Sequence, residues 1–450
     1  MKIQLGDHFS YKKLIRFVLP PILMMVFTSI YGVIDGFFIS NYTGKTAFAA
    51  VNLIMPFLMI LGSIGFMLGT GGTAIVSKLL GEKREEEAKQ YFTLFIIATL
   101  ISGLVLTAIG EITMPYIAKA LIKGKDLDPE VADSMLKYAI LYGRIVTAGV
   151  TAFMLQNVFQ AFFSAAEKPT LGFIFTVSAG CVNIIFDGIL VGACKMGVTG
   201  AALATIMSQY VGAVAPIIYF SCKNKSLLRF VKPKFNAKVL LKACTNGSSE
   251  FVSNISMSVV SIVYNYQLLK FAGENGVSTY GVLMYVNFIY YSIFIGYAIG
   301  TAPIIGYNYG ANNSAELKNI FKKSMILMAI LGVAMTGLAA GLANPISKLY
   351  VGYDTELFNA TVEAFYIYSF SFIFAGFAIF SSSMFTAFGN GLISALISFV
   401  RTIVLQIAAV FILPLIWGVN GIWASLLVSE ILATIMSMIF CAALRKKYHY

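Results

Sequence analysis

The sequence predicts an all-α integral membrane protein of about twelve transmembrane helices, arranged as two six-helix bundles. Three observations lead to this fold class: the composition, the length of the apolar stretches and the recurrence of short motifs. Of the 450 residues, 58% are hydrophobic and 12% are charged, whereas a soluble domain carries about 25% charged residues. A spanning helix needs about 20 mainly apolar residues, and polar breaks divide this chain into about twelve such stretches.

The formal net charge of +12 indicates orientation in a membrane rather than binding of nucleic acid. Counted loop by loop, 22 of the 32 Lys and Arg residues fall on the side of the N-terminus and eight on the opposite side. The other two, Arg144 and Arg401, fall within spans. Because cytoplasmic loops are enriched in Lys and Arg, we expect both termini to lie in the cytoplasm.

A basic segment at the middle of the chain marks a boundary between two domains. Residues 222–242 carry seven basic residues and no acidic one, which is typical of a cytoplasmic connection. We expect an N-terminal bundle of residues 1–221, this linker, and a C-terminal bundle of residues 243–450. Each half then holds six spans, so both enter the membrane in the same direction and are related by a pseudo-two-fold axis along the membrane normal.

Short motifs recur in the two halves in the same order and at a nearly constant offset. The matching segments are Leu80-Gly81 with Tyr309-Gly310, Phe163-Ser164-Ala165 with Phe385-Thr386-Ala387, and Gly197-Val198-Thr199-Gly200 with Gly418-Val419-Asn420-Gly421, at offsets of 229, 222 and 221. Each match is weak alone, but their order and spacing indicate an internal repeat. A substrate then belongs at the interface between the two bundles.

The residue inventory argues against an enzyme, a metalloprotein or an ATP-driven pump. The only histidines, His8 and His449, lie near the two ends, and the five cysteines include no CxxC pair. No metal site, disulfide framework or histidine-based catalysis is expected. Residues 44–46 match the end of a Walker A motif, but residue 39 is Ile where that motif requires Gly. We expect no cofactor other than a coupling ion.

Four acidic residues lie well inside predicted spans, away from their ends: Asp35, Asp187, Glu250 and Glu430. An ionised carboxylate at the centre of a spanning helix costs about 2.5–3.5 kcal/mol on insertion scales, so each is a candidate site residue. Asn183 and Asp187 are four residues apart and share one helix face, and Asp35 is expected at a similar depth in the first span.

With Thr205 as a further oxygen, Asp35, Asn183 and Asp187 form a predicted cluster of hard oxygen ligands. Such a cluster suits Na⁺, or one proton held between two carboxylates. In the alternative interpretation, each Asp only bonds helix ends within its own bundle.

The remaining ionisable residues in spans have competing interpretations. Glu250 is either a coupling or substrate residue or one partner of an interhelical hydrogen bond. Glu430 is expected to form a buried structural ion pair with Arg401. Arg144 is either a counter-ion for the aspartates or, by the preferred interpretation, extends to the membrane interface.

Amide and aromatic side chains suggest a cavity for large apolar cations. Gln156 and Gln160 form an amide stripe on the fourth span, and tyrosines are frequent in the seventh and eighth. Amides beside aromatic faces suit such cations, although packing explains the same pattern. We also expect the prolines at positions 20, 21 and 303 to interrupt their helices.

Together these residues resemble the MATE family of multidrug and toxic compound extrusion transporters, in its bacterial exporter branch. The matching elements are Pro20 with Asp35, Leu80-Gly81-Glu82, Asn183 with Asp187, residues 197–202, Glu250 and residues 303–310. The resemblance implies two bundles around a central cleft that exports cationic amphiphiles in exchange for H⁺ or Na⁺. It also implies a bacterial inner-membrane location and a monomer in the lipid bilayer.

By this resemblance, the N-lobe cation site falls on Asp35, Asn183, Asp187 and Thr205. A second-lobe site in some members pairs the Glu matched by Glu250 with an Asp in the tenth span, where this sequence has none. The nearest alternative is a flippase of lipid-linked saccharides, whose anionic substrate calls for a cleft rich in Arg and Lys. A channel is a further alternative, which a counter-ion-dependent flux assay separates from an exchanger.

Overall fold

The computed structural model describes residues 3–123 and 128–450. These residues form α-helices, two short π-helices and connecting turns, and contain no strand. A helix satisfies its backbone hydrogen bonds internally, which is why apolar stretches of this length are helical in a membrane. Lys2 and Lys125, which belong to the charge counts above, lie outside the described residues.

The helices before the basic segment make up the part that we call the first lobe. They are α1 (Tyr11–Thr43), α2 (Lys45–Gly81), α3 (Glu85–Ile122), α4 (Pro129–Ala148), α5 (Val150–Ala165), α6 (Pro169–Phe186, continued by a π-helix, Asp187–Ala193) and α7 (Gly197–Ser221).

The helices after that segment make up the second lobe. They are α8 (Ala237–Gly310), α9 (Ser314–Val351), α10 (Thr355–Ser369), α11 (Phe372–Ala387), α12 (Gly391–Phe399, continued by a π-helix, Val400–Leu405), α13 (Gln406–Ile412), α14 (Pro414–Trp417) and α15 (Val419–Tyr448). Of the predicted linker, residues 222–236 are non-helical and residues 237–242 begin α8. The exact lobe boundaries stay a prediction.

Helix α8 crosses the membrane twice. Its 74 residues would extend about 110 Å as a straight helix, whereas the hydrocarbon core is about 30 Å thick. Gly273 has φ 60° and ψ −151°, a conformation that suits glycine because it has no β-carbon. The rings of Tyr264 and Tyr280 stack with centroids 5.2 Å apart, so the chain reverses at Gly273. We call residues 237–272 the first arm of α8 and residues 274–310 the second arm.

The number of crossings in the described residues agrees with the sequence. Nine helices are long and apolar enough to span a membrane, and two bent pairs qualify together, α4 with α5 at 52° and α10 with α11 at 46°. Counting the arms of α8 separately gives twelve crossings. The predicted fold class is therefore confirmed: a helical membrane protein of two lobes.

The two lobes pack together near the face that holds both chain ends, which we call the terminal face. There, Leu5 and Phe17 share one apolar core with Phe294 and Phe385 of the second lobe. Towards the opposite face, the apolar cores separate. One contains residues of the first lobe alone, and the other contains residues of the second lobe alone. The cleft between the lobes is thus closed at the terminal face and open at the opposite face.

Two glycines on α2 and α8 make reciprocal contacts between the lobes. A β-carbon on Gly81 would overlap the carbonyl oxygen of Tyr307, and one on Gly310 would overlap that of Lys78. Each glycine thus meets the residue three positions before the other. A two-fold axis produces this reciprocity, because residue i contacts j where j contacts i. Gly81 and Gly310 therefore occupy equivalent places, as the repeat predicts.

A second reciprocal pair lies further from the terminal face on the same helices. A β-carbon on Gly71 would overlap the carbonyl oxygen of Ala243, and one on Gly247 would overlap that of Met67. Only glycine allows backbones to approach this closely. We call the four glycines at positions 71, 81, 247 and 310 the glycine seal, since they close the cleft.

The segment before α1 contacts both lobes. The backbone N–H of Leu5 donates to Glu167 at 2.9 Å, and its carbonyl oxygen accepts from Asn308 of α8 at 3.1 Å. Glu316 of α9 accepts from the N–H of Phe9 at 2.9 Å. We call residues 3–10 the strap, because they connect the lobes across the terminal face.

Candidate cation site and cleft

The first lobe brings together the four residues predicted for the cation site. Asp35 lies on α1, Asn183 and Asp187 on the sixth helix and its π-helical continuation, and Thr205 on α7. The side chains of Asp187, Asn183 and Thr205 all lie against the carboxyl group of Asp35. Asp187 is fully buried and Asp35 is 8% exposed. Three helices therefore place four oxygen-bearing side chains at one buried point.

Several oxygens of this cluster have no donor among the described side chains. They are Asp35 Oδ1, Asn183 Oδ1 and both carboxyl oxygens of Asp187. Two neighbouring carboxylates cannot both stay ionised in a buried site unless a cation compensates them. The arrangement suits one monovalent cation, either a shared proton or Na⁺ held by oxygen ligands.

The local helix geometry explains how one helix supplies two of these side chains. The backbone N–H of Asp187 donates to the carbonyl oxygen of Asn183, so the two residues are one turn apart on one face. Asp187 then begins the π-helix Asp187–Ala193. Single π-helical turns inside α-helices occur frequently at functional sites.

Tyr142 is a neighbour of the cation site that the sequence did not indicate. Its ring is fully buried, its hydroxyl has no hydrogen-bond partner of standard geometry in the described structure, and it lies near Asp35, Asp187 and Thr205. It also lines a cavity of about 60 Å³ that reaches Thr205 and Gln209. The sequence carries no signal for this role, because one tyrosine in an apolar span resembles a packing residue.

Arg144 does not enter the cation site. Its side chain is 53% exposed and its Nε lies 3.9 Å from a carboxyl oxygen of Glu111 on α3. This position agrees with the interpretation that the side chain extends outwards, and Arg144 therefore provides no counter-charge for Asp35 and Asp187.

The second lobe contains a buried ion pair on facing helices. Arg401 donates from Nε to both carboxyl oxygens of Glu430 at 3.0 Å, and from Nη2 to Oε1 at 2.8 Å. The hydroxyl of Tyr291 donates to the same Oε1 at 2.9 Å. Glu430 is fully buried, and the side chain of Arg401 is 11% exposed. The two charges that the sequence placed on neighbouring spans are thus in direct contact.

Glu250 lies at the bottom of the open cleft. It is half-buried on the first arm of α8, three residues beyond Gly247 of the glycine seal. Arg401 is close enough to act on its carboxyl group electrostatically, but no described cation forms a salt bridge with it. Glu250 is therefore a carboxylate facing the cleft without a directly bonded counter-ion.

The structure corrects the expected position of Gln156 and Gln160. Gln160 donates from Nε2 to the hydroxyl of Thr176 on α6 at 3.3 Å, and Gln156 packs against Gly212 on α7. Both are more than 90% buried. These amides point into the first lobe instead of the cleft, because α6 and α7 supply the polar and close-packed partners on that side.

Comparison with known proteins gives concordant results for family and fold. The family model described as MatE matches residues 20–189 and 251–412. The Multidrug export protein MepA of Staphylococcus haemolyticus is 27% identical over 449 residues, covering 97% of this chain and 94% of the relative. The protein of the same name from Staphylococcus aureus is 24% identical with the same coverage.

Solved structures show the same fold at lower identity. One is a multidrug resistance MATE family transporter of the MOP superfamily in an outward-facing conformation, with a TM-score of 0.89, 22% identity and 99% coverage of both chains. Another is a MATE protein in a straight conformation, with a TM-score of 0.89, 21% identity and 98% coverage of both chains.

Proposed function

The chain belongs to the MatE family of membrane transporters, and from this premise we propose that it exports amphiphilic, mainly cationic compounds in exchange for H⁺ or Na⁺. The relatives that match nearly the whole chain are multidrug export proteins, which supports the efflux direction. We also propose that the protein is a monomer in a bacterial membrane. Both termini would lie in the cytoplasm, as the distribution of Lys and Arg favours.

The observation that carries the exchange mechanism is the buried pair of carboxyl groups, Asp35 and Asp187. Binding of one cation by their unpartnered oxygens is favourable, because the cation relieves the repulsion between two buried negative charges. Loading this site from the open face stabilises one arrangement of the first lobe. Release of the cation at the terminal face then drives the return step, since a ligand shifts a conformational equilibrium through its differential affinity.

The cleft favours a cationic substrate over an anionic one. Glu250 offers a negative charge at its bottom, whereas Arg401 is neutralised by Glu430 and Arg144 lies outside. A saccharide carrier with an anionic lipid-linked substrate would need uncompensated cations in the cleft, and neither arginine within the predicted spans provides one. This arrangement supports the exporter over the flippase.

The test is dye transport by the purified protein in sealed vesicles. A cationic dye such as ethidium is loaded, and a proton gradient or a Na⁺ gradient is imposed separately. We expect dye movement to saturate, to require one of the two gradients and to cease when that gradient is collapsed. Dye movement that is equal with and without either gradient would contradict coupled exchange.

A further inference from the structure

We propose that Arg401 determines how many positive charges the exported compound carries. It cancels the charge of Glu430 and leaves Glu250 as the single net negative charge at the bottom of the second-lobe side of the cleft. This inference rests on the proposed export of cationic compounds and specifies the charge of the substrate. A compound with one positive charge balances this single negative charge, and a compound with two positive charges does not.

Glu250 lies at the closed end of the cleft, beside the glycine seal. Gly247, three residues earlier, touches the backbone of Met67 across the glycine seal. Residues three apart in a helix lie on the same side, so Glu250 also faces the first lobe. It lies just beyond the seal on the first arm of α8, and its side chain is half-buried.

The geometry of Arg401 identifies it as the compensating charge for Glu430. Three hydrogen bonds of 2.8–3.0 Å join the two side chains, the strong multidentate form of a charge-assisted contact. The guanidinium group also lies over the ring of Tyr291, 5.5 Å from its centroid. Arg401 thus remains bound to Glu430. It acts on Glu250 electrostatically but forms no salt bridge with it.

No other described charge in the second lobe lies at this depth. Lys270 and Glu274 flank the reversal of α8, and Glu363 accepts a hydrogen bond from Asn420 near the start of α15. These groups lie at the open face, where water screens them. Inside the lobe, Arg401, Glu430 and Glu250 sum to one negative charge when Glu250 is ionised.

The test is a series of variants that changes this sum in steps. Glu430→Gln makes the sum zero, Arg401→Gln makes it two negative charges while Glu430 stays ionised, and the double variant restores one. The probes are ethidium, a monocation, and propidium, which has the same ring system and a second positive charge. The measured quantity is the ratio of the two dyes' dissociation constants for the purified protein, supported by uptake into vesicles.

We expect the natural chain to favour ethidium. Arg401→Gln should move the ratio towards propidium by about tenfold, since each mismatched charge in a partly buried site is costly. Glu430→Gln should weaken binding of both dyes, and the double variant should recover the natural ratio. Arg144→Gln, which removes an exposed arginine of the first lobe, should leave the ratio unchanged.

Several outcomes would overturn the inference. One is equal preference for both dyes in the natural chain. Another is an equal loss for both dyes in Arg401→Gln, which indicates a purely structural arginine. If Arg401→Gln does not fold, the other two variants decide. The inference is overturned if Glu430→Gln binds both dyes as tightly as the natural chain and with the same ratio. It is also overturned if the double variant has a ratio different from that of the natural chain. Failure of the proposed function itself looks different, because the natural chain then transports neither dye under either gradient.

Discussion

At the residue scale, the buried acidic residues of this protein are of two kinds. Asp35 and Asp187 lie together with oxygens that lack donors, whereas Glu430 is satisfied by Arg401 and Tyr291. The first arrangement is incomplete without a cation, and the second is complete. A mobile coupling ion therefore belongs to the first lobe, and a fixed ion pair to the second.

Removing one carboxylate from the cation site should stop coupled transport. We expect Asp187→Asn to abolish gradient-driven dye export while the protein still inserts and binds dye, because the site no longer binds its cation. Asp35→Asn should act alike, and the double variant should be little worse than either, since one site is lost only once. Asn183→Ala should weaken cation binding without eliminating it.

The matched control is Asp133→Asn, which removes an exposed carboxylate that pairs with Lys137 at 2.6 Å and should leave export intact. Export rates and dye binding are measured on the same vesicle preparations. Full activity of Asp187→Asn would move the coupling role to Glu250.

The Arg401–Glu430 pair should show strong coupling in a double-mutant cycle of unfolding free energy. Replacing either residue alone strands a buried charge and should cost about 3–5 kcal/mol, while replacing both should cost less. The Arg144–Glu111 pair is the control, since both side chains are at least one-third exposed and such pairs contribute about 0–1 kcal/mol. Additive losses for Arg401 and Glu430 would show that the contact has no energetic role.

At the scale of helices, prolines do not coincide with the sharp bends. Helices α1 and α8 continue through prolines 20, 21 and 303, contrary to expectation. The bends of 52° and 46° lie at Gly149 and at Phe370-Ser371. In membrane helices the backbone groups freed by proline find other partners, so proline alone does not break the helix.

The glycine seal should control which face of the cleft is open. Gly71→Ala places a methyl group against the carbonyl oxygen of Ala243, and overpacking of this kind costs about 1–3 kcal/mol. We expect the closed terminal face to lose population in favour of an open one. Spin labels at Thr170→Cys and Lys318→Cys, one in each lobe, report the separation of the lobes there, in a background without the exposed native cysteines.

Gly281→Ala is the matched control, because a β-carbon there meets nothing within 4 Å. Its label distances should equal those of the natural chain. An unchanged distance distribution in Gly71→Ala would show that the seal tolerates the methyl group and does not hold the terminal face closed.

At the scale of the whole molecule, the strap holds the two lobes together across the terminal face. Glu316 is central to it, because it accepts from the N–H of Phe9, bonds His8 Nδ1 at 2.7 Å and accepts from Asn319. Hydrogen bonds to a charged group contribute about 1.5–3 kcal/mol each. We therefore expect Glu316→Ala to increase the open population at the terminal face by about tenfold or more, measured with the same label pair.

The control for the strap is Glu130→Ala, an exposed carboxylate in the first turn of α4 on the opposite face. It should leave the label distances unchanged. A distance distribution in Glu316→Ala that matches the natural chain would show that the strap follows the closure and does not stabilise it.

Local patterns in the sequence determined the helical class, the twelve crossings, the repeat and the grouping of Asn183 with Asp187. Apolar length and the spacing of four residues act within one helix, so they need no knowledge of its neighbours. The acidic residues within spans could also be recognised from the sequence as candidate site residues, since the cost of a charge in lipid does not depend on the fold.

Tertiary structure alone decided which way each helix faces and which face of the cleft is open. Each residue advances about 100° around a helix, so a small rotation moves a side chain from the cleft to the lobe interior, as for Gln156 and Gln160. Tyr142 joined the cation site, and Arg144 stayed out of it, through contacts with other helices. The open face follows from backbone contacts at the glycine seal, which depend on how two distant segments pack and have no counterpart in local spacing.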